Sequence, residues 1–188
     1  MTKDYLAVLD ACVLVPAALR DTLLRRAETP RLYGPKWGDE ILAEVERTLI
    51  GKIKKTPEQS AHLIAELKRA FPEALVRECK KLEPALMNHP KDRHVLATAI
   101  RSSAQTIVTF NLKHFPVDVL QQYDVEALHP DEFLVNQFYL DDALVAAKFT
   151  EQATAIGRTV EDQLRMFHQT RVLSLFTQTM ADTLGIKL

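Results

Sequence analysis

Short apolar runs recur along roughly the first 130 residues and are separated by stretches with helical spacing. The predicted strands are residues 5–9, 74–77, 106–109 and 125–128, of which 74–77 carries the weakest signal. Residues 29–36 contain two prolines and Gly34, and they are predicted to form a connector. Because strands that alternate with helices favour a parallel sheet, the expected fold class is α/β.

Helix signals fill the intervals between these strands. The predicted helices are one with Pro16 in its first turn, then 39–50, 56 to about 71, 93–102 and 117–122. Thr56 and Gln59 have the form of a capping box with Pro57 at the first helical position. This signature predicts a helix that begins directly after Thr56.

The chain changes character after Pro130, because helical spacing continues and strand signals stop. Residues 131 to about 152 and residues 160–184 are apolar at helical spacing. Thr159 is expected to cap the later helix and Gly185 to end it. We therefore predict two parts, an α/β domain in residues 1–135 and a helical C-terminal extension in residues 136–188.

Composition and charge narrow the classes of function. The 188 residues are 47% hydrophobic and 26% charged, which fits one globular domain with an appendage. The net charge is −1, so any surface that binds nucleic acid must be local. Two basic groups are interpreted as solvated faces that can contact phosphate. They are Lys52, Lys54 and Lys55 in one run, and Arg20, Arg25 and Arg26 in another.

Targeting and disulfide signals are weak throughout the chain. Cys12 and Cys79 do not make a disulfide framework, so a reducing cytoplasm is the expected compartment. The N-terminal apolar run is too short for a signal peptide, and no segment is expected to span a membrane. Histidine spacing of the zinc type, such as His-x-x-x-His, is also missing, which disfavours a zinc site.

Polar residues stand where predicted strands and helices end. Asp10 follows the first strand, Asn111 follows the strand 106–109, Glu44 lies on the second helix, and Asp92 precedes the helix 93–102. These groups can converge at the carboxyl edge of a parallel sheet. Clustered carboxylates repel each other unless a divalent cation neutralises them, and Mg²⁺ and Mn²⁺ prefer such oxygen ligands.

Each of these residues also has a simpler interpretation. Asp10 and Asp92 can be helix N-caps. Glu44 can lie on a solvated helix face with Arg47 as its ion-pair partner. Asn111 can be an ordinary turn residue. Structure is needed to separate these alternatives from a metal site.

Four segments, in order, resemble the motifs of PIN domains. They are residues 8–14 (VLDACVL), 39–44 (DEILAE), 92–100 (DRHVLATAI) and 107–116 (IVTFNLKHFP). The segment after residue 135 is similar to the helical C-terminal extension of a longer, VapC-like toxin subgroup. This resemblance implies a PIN-like α/β/α sandwich with a parallel sheet.

The resemblance also implies a function. It implies a Mg²⁺- or Mn²⁺-dependent endoribonuclease, the toxin of a type II toxin–antitoxin pair, which hydrolyses RNA phosphodiester bonds. Asp10, Glu44 and Asp92 would hold the metal, and Asn111 would complete the catalytic set. The implied partners are transfer, ribosomal or messenger RNA and a cognate antitoxin, with a homodimer left open and no membrane.

The chain departs from the PIN pattern at two positions. Asn111 stands where many relatives have an aspartate, and His114 stands where several have another. Three carboxylates remain, which favours one tightly held metal. Glu40, Thr109, Lys113 and His114 are expected either behind the ligands or against the substrate. The alternatives are a weak or inactive PIN-like module that binds RNA or protein, and a structure-specific DNA nuclease.

Overall fold

The computed structural model describes residues 5–188 as two compact units. The first unit contains the chain up to Arg20 together with Tyr33–Leu128, and the second contains Asp21–Leu32 and His129–Leu188. The predicted boundary at residue 135 stays a prediction. Residues 1–4, on which part of the signal-peptide expectation falls, lie outside the described residues.

A parallel five-stranded sheet forms the centre of the first unit, within the described residues. Its strands are β1 (Leu6–Leu9), β2 (Gly34–Gly38), β3 (Leu75–Val76), β4 (Thr106–Val108) and β5 (Glu126–Leu128). The spatial order is β3-β2-β1-β4-β5, so β1 pairs with β2 on one side and with β4 on the other. The strand order therefore reverses beside β1. Ligands of open α/β sheets bind at such a switch point, outside the carboxyl ends of the strands.

Strand β2 corrects the predicted connector at 29–36. The amide of Gly34 donates to Tyr5 O at 2.8 Å and opens the pairing with β1. In a parallel sheet the backbone N–H and C=O groups of successive residues point to opposite neighbouring strands. Because the amide of Gly34 points to β1, the nitrogen of Pro35 points to β3. Pairing with β3 begins only at Trp37, so the missing N–H of Pro35 breaks no bond of the sheet. The glycine and proline signals were local, and pairing with β1 overrode them.

Helices cover the sheet and confirm the predicted α/β fold class. The helices up to residue 128 are α1 (Ala11–Leu14), α2 (Ala17–Arg25), α3 (Asp39–Gly51), α4 (Pro57–Ala70), α5 (Arg93–Ser102) and α6 (Val117–Leu120), of which α2 begins in the first unit and ends in the second. Helix α5 packs on β1, β2 and β4, and α3 packs on α1, α4 and α5. The architecture is the predicted parallel sheet flanked by helices.

The predicted capping box of α4 is present. The amide of Gln59 donates to Thr56 Oγ1 at 3.2 Å, and the amide of Thr56 donates to Gln59 Oε1 at 3.1 Å. These two bonds satisfy backbone donors that the first turn of a helix otherwise leaves without a partner.

Thr56→Ala is expected to lower the free energy of unfolding by about 1 kcal/mol, because it removes the acceptor for the Gln59 amide. Urea denaturation of the two proteins measures the difference. Thr56→Ser keeps the hydroxyl and is expected to stay close to wild type. Equal stability of the Ala and Ser variants would contradict the role of the cap.

The second unit consists of helical segments. Residues 129–188 form α7 (Pro130–Leu140), α8 (Asp142–Ala155), α9 (Val160–Thr170) and α10 (Ser174–Leu184). The single helices predicted over 131 to about 152 and over 160–184 are wrong. Asp141 ends α7 and caps α8, and Arg171, in a left-handed conformation with φ 57°, ends α9. Thr159 caps α9 and left-handed Gly185 ends α10, as predicted. Within residues 5–188, no helix combines the length and the apolar character that crossing a membrane needs.

Aromatic side chains fill the core of this unit. Phe133, Phe149 and Phe176 are fully buried, and the Phe149 and Phe176 rings meet edge to face at 5.9 Å. Arg26 is also fully buried; its guanidinium donates to Thr22 O at 2.5 Å and lies 5.1 Å from the Phe176 ring centroid. The interpretation of Arg26 as part of a solvated face is therefore wrong.

Candidate metal centre

Asp10 directly follows β1 and is buried at the switch point of the sheet. Its Oδ2 accepts a hydrogen bond from the Thr109 hydroxyl at 2.7 Å and one from the Cys12 thiol at 3.2 Å. Asp10 precedes α1, yet its side chain makes no capping bond to the helix. The N-cap alternative therefore does not explain this carboxylate.

The environment of Asp10 disfavours its charge. Burial raises the pKa of Asp10, the hydrogen bonds from Thr109 and Cys12 lower it, and the charges of Asp92 and Glu44 raise it again. The net direction is upward. Both hydrogen-bond donors are neutral, so they relieve only part of the cost of a buried negative charge. A cation bound beside Asp10 would relieve the rest.

Thr109 connects the ends of β1 and β4. Its fully buried hydroxyl donates to Asp10 and accepts a bond from the Asn111 amide at 3.0 Å. The Cys12 sulfur accepts a bond from the Phe110 amide at 3.3 Å. Burial, followed by the charge of Asp10, raises the pKa of Cys12 to about 12, so its thiol stays protonated and serves as a donor. The loop after β4 is thereby fixed against Asp10.

Glu44 on α3 faces His94 on α5. Glu44 Oε2 lies 3.5 Å from His94 Nε2, and the His94 side chain is almost fully buried. The interaction with His94 lowers the pKa of Glu44. Burial lowers the pKa of His94, but Glu44, Asp10 and Asp92 together outweigh burial, so the pKa of His94 is raised. These mutual influences place Glu44 in the same electrostatic cluster as the two buried aspartates.

The simpler interpretation of Glu44 does not hold. Arg47, its expected ion-pair partner, donates instead to Glu40 Oε1 at 2.9 Å, and both of these side chains are exposed. Arg47 also lowers the pKa of Glu44, but by less than His94 does. Glu44 thus approaches His94 with a side chain that is 39% exposed, whereas Glu40 pairs with Arg47 on the exposed surface.

Glu44→Gln is expected to destabilise the metal-free protein more at pH 5.5 than at pH 8.5. The lowered pKa of Glu44 gives a contribution that is present above its ordinary value of 4.5 and is lost as pH falls through the folded value. The raised pKa of His94 gives a second stabilising contribution, which is present below its ordinary value of 6.5 and is lost as pH rises through the folded value. Both contributions to stability are therefore present at pH 5.5, which lies between 4.5 and 6.5. Thermal melts in EDTA at the two pH values measure this, and an equal loss at both would contradict it.

Asp92 is the third acid and is joined to two histidines. Its Oδ2 lies 2.6 Å from His114 Nδ1 and 3.5 Å from His89 Nδ1. The two imidazoles stack with centroids 4.0 Å apart and planes 13° apart. Asp92 stands at the N-terminus of α5 without a side-chain cap, so the N-cap alternative does not explain it.

The structure brings some of the predicted residues together and leaves others outside. Asp10, Glu44 and Asp92 interact electrostatically, and Thr109 and His114 each contact one of the acids. Asn111 contacts the cluster through its backbone N–H, which donates to the Thr109 hydroxyl. Glu40 and Lys113 are exposed, and Glu40 pairs with Arg47. Their predicted roles stay predictions.

Two residues of the cluster were not singled out from the sequence. His94 lies in the third motif, two positions after Asp92, and His89 lies three positions before Asp92. Their partners, Glu44 and His114, are distant in sequence. The one sequence signal that could have identified the two histidines is their closeness to Asp92 along the chain.

The donor chemistry fits a hard divalent cation. The charges of Asp92 and Glu44 act on Asp10, which is the most buried of the three and accepts hydrogen bonds from two neutral donors, Thr109 and Cys12. Mg²⁺ and Mn²⁺ prefer carboxylate and water oxygens. A cleft of about 550 Å³ is lined by His94, the neighbour of Glu44, and by Gly38 and Val76 at the carboxyl ends of β2 and β3, but by none of the three carboxylates. The cleft has the size of a small-ligand site.

Comparison with known proteins gives one strong local match. No protein-family profile matches the chain. The chain is 61% identical over 56 residues to "Putative ribonuclease VapC50" of Mycobacterium tuberculosis (strain ATCC 25618 / H37Rv). That stretch is 30% of this chain and 33% of the relative. The resemblance to the VapC-like group is confirmed. This chain spans about a third of the length of that relative.

A solved structure is also similar. VapBC-1 from nontypeable Haemophilus influenzae matches with a TM-score of 0.44 and 15% identity, over 66% of this chain and 98% of that chain. Similarity at this level supports no inference about function.

Proposed function

We propose that this chain is a metal-dependent endoribonuclease that hydrolyses RNA phosphodiester bonds. The observation that carries the proposal is the buried Asp10, which lies at the switch point of the sheet in one electrostatic cluster with Glu44 and Asp92. The 56-residue match to a protein named as a ribonuclease supports the same activity. Asp10, Glu44 and Asp92 would hold Mg²⁺, or Mn²⁺ in its place.

Each protein group has a distinct task in this proposal. The bound cation would supply a water of lowered pKa and neutralise charge on the phosphate. Thr109 holds Asp10 through a hydrogen bond to Oδ2, and His94 Nε2 lies 3.5 Å from Glu44 Oε2 and positions that carboxylate. The hydrogen bond from the Asn111 backbone N–H to the Thr109 hydroxyl positions the loop after β4 beside Asp10. The exposed Lys113 next to this loop can contact a phosphate of the substrate.

We further propose that the enzyme is the toxin of a type II toxin–antitoxin pair and acts in the cytoplasm. The confirmed VapC-like resemblance supports this role. The substrate would be transfer, ribosomal or messenger RNA, and the partner would be a cognate antitoxin. Both cysteines are free thiols, which is consistent with a reducing compartment.

An RNA digest with defined metal tests the activity. The wild-type protein is expected to cleave RNA in Mg²⁺ and to stop in EDTA. Parallel digests of branched DNA distinguish a structure-specific DNA nuclease. Cleavage of RNA that persists in EDTA, or cleavage of branched DNA alone, would contradict the proposal.

A catalytically inactive module that binds RNA or protein is the second candidate. The neutral Asn111 and the hydrogen bond that engages His114 with Asp92 favour it, because both reduce the charge available at the site. Filter binding and cleavage measured on one RNA separate the two functions. Binding without cleavage in either Mg²⁺ or Mn²⁺ would favour the module over the enzyme.

A further inference from the structure

His89, Asp92 and His114 form a compact group of nitrogen and oxygen donors. One ligand atom from each lies within 4.8 Å of the others, and across residues 5–188 no other group of three such donors is this compact. The three residues come from two separate segments, the loop before α5 and the loop after β4. Their meeting is therefore a product of the fold.

Backbone bonds hold the two segments in place. The amide of His89 donates to His114 O at 3.1 Å, and the side chain of the buried Asn88 donates to Asp92 O at 3.1 Å. The two imidazoles stack on each other, and Nδ1 of each lies within 3.5 Å of Asp92 Oδ2. Little backbone ordering remains to be done when a cation binds, which favours affinity.

The donor types indicate which cations fit. Mg²⁺ prefers six oxygens and keeps much of its water, whereas imidazole nitrogen suits Zn²⁺, Cu²⁺ and Ni²⁺ far better. Two histidines and one carboxylate with an open side are a recurrent ligand set for such metals. The site is therefore chemically distinct from the group made of Asp10, Glu44 and Asp92.

We infer that His89, Asp92 and His114 form a second cation site, selective for a divalent transition metal over Mg²⁺, that shares Asp92 with the carboxylate group. Binding replaces the 2.6 Å contact between His114 and Asp92 by bonds from both side chains to the metal. It also displaces the bond of 3.3 Å from the Lys91 amide to His89 Nδ1, if that nitrogen is the ligand. The half-exposed His89 leaves the site open to solvent.

Calorimetry with Zn²⁺ alone tests the inference, in protein that carries Cys79→Ser so that this thiol cannot contribute. His89→Gln and His114→Gln are each expected to weaken Zn²⁺ binding at least about tenfold. The exposed His62 on α4 provides the matched control, and His62→Gln is expected to bind Zn²⁺ as the parent does. Mg²⁺ affinity is expected to stay unchanged in His89→Gln.

The outcome is separable from that of the proposed function. Zn²⁺ affinity unchanged in both His89→Gln and His114→Gln overturns the second site, whether or not RNA is cleaved. Loss of Zn²⁺ binding in these variants supports the site even when no RNA cleavage is found. A parallel loss of Mg²⁺ affinity in His89→Gln would overturn the selectivity.

Discussion

Asp10→Asn is expected to raise the melting temperature of the metal-free protein at pH 7.5 and to reduce RNA cleavage at least about 100-fold. The raised pKa means that the folded state tolerates protonated Asp10 and disfavours its ionised form. The stabilising contribution is present below its ordinary value of 3.8 and is lost as pH rises through the folded value. An amide removes that penalty at neutral pH but cannot hold the cation as an anion does.

Melting curves in EDTA at pH 7.5 and pH 4, with a cleavage assay in Mg²⁺, measure both effects. The gain in melting temperature is expected to shrink at pH 4, because a larger fraction of the wild-type carboxyl is protonated there than at pH 7.5. Asp118 on α6 is exposed, and Asp118→Asn is the matched control that should leave both quantities unchanged. A less stable Asp10→Asn protein at pH 7.5 would show that Asp10 is a structural acid.

Asp92→Asn is expected to have the broadest effect of any single change at the site. Asp92 acts on Asp10 through its charge and contacts His114 directly, so one carboxylate serves both groups. RNA cleavage should fall at least about 100-fold, and Zn²⁺ binding should weaken at least about tenfold. In contrast, His89→Gln should weaken Zn²⁺ binding while Mg²⁺ affinity is kept.

Cleavage assays and Zn²⁺ calorimetry on the same protein preparation measure this pair of effects. A circular dichroism spectrum and a melting curve show whether the variant is folded. If folded Asp92→Asn keeps its Zn²⁺ affinity, Asp92 does not belong to the histidine group. If it keeps full cleavage, Asp92 does not belong to the carboxylate group.

Sequence patterns predicted the parts of the fold that depend on local signals. The apolar runs at β1 and β4 were found because buried parallel strands carry continuous apolar residues. Thr56 and Gln59 were found because a capping box is made within four residues. Strand β2 was missed because its sequence, GPKWG, carries turn signals, and only pairing with β1 makes it a strand.

The same distinction between local signals and distant contacts applies to the site. Asp10 and Asp92 could be predicted because each stands next to an apolar element whose end is visible in the sequence. The pairing of Glu44 with His94 and the stacking of His89 on His114 join distant segments, so neither could be read from spacing. Zinc-type spacing within one helix is a local signal and does not detect a site made by two loops.

The second unit shows where periodicity misleads. Arg26 was interpreted as a solvated residue from its charge, but it is fully buried against Phe176. Helical spacing over 160–184 does not reveal the left-handed Arg171 that separates α9 from α10. Charge and period report the average behaviour of residue types, whereas packing within the unit decides each position.

Titration of Mg²⁺ into wild type and Asp10→Asn by calorimetry tests the central claim most directly, because Mg²⁺ prefers the oxygen ligands of the carboxylate group. Wild type is expected to bind one Mg²⁺, and saturation at 100 times the dissociation constant should stabilise it by about 2.7 kcal/mol. Asp10→Asn is expected to show neither binding nor stabilisation. Equal Mg²⁺ binding by the two proteins would contradict the assignment of Asp10 as a metal ligand.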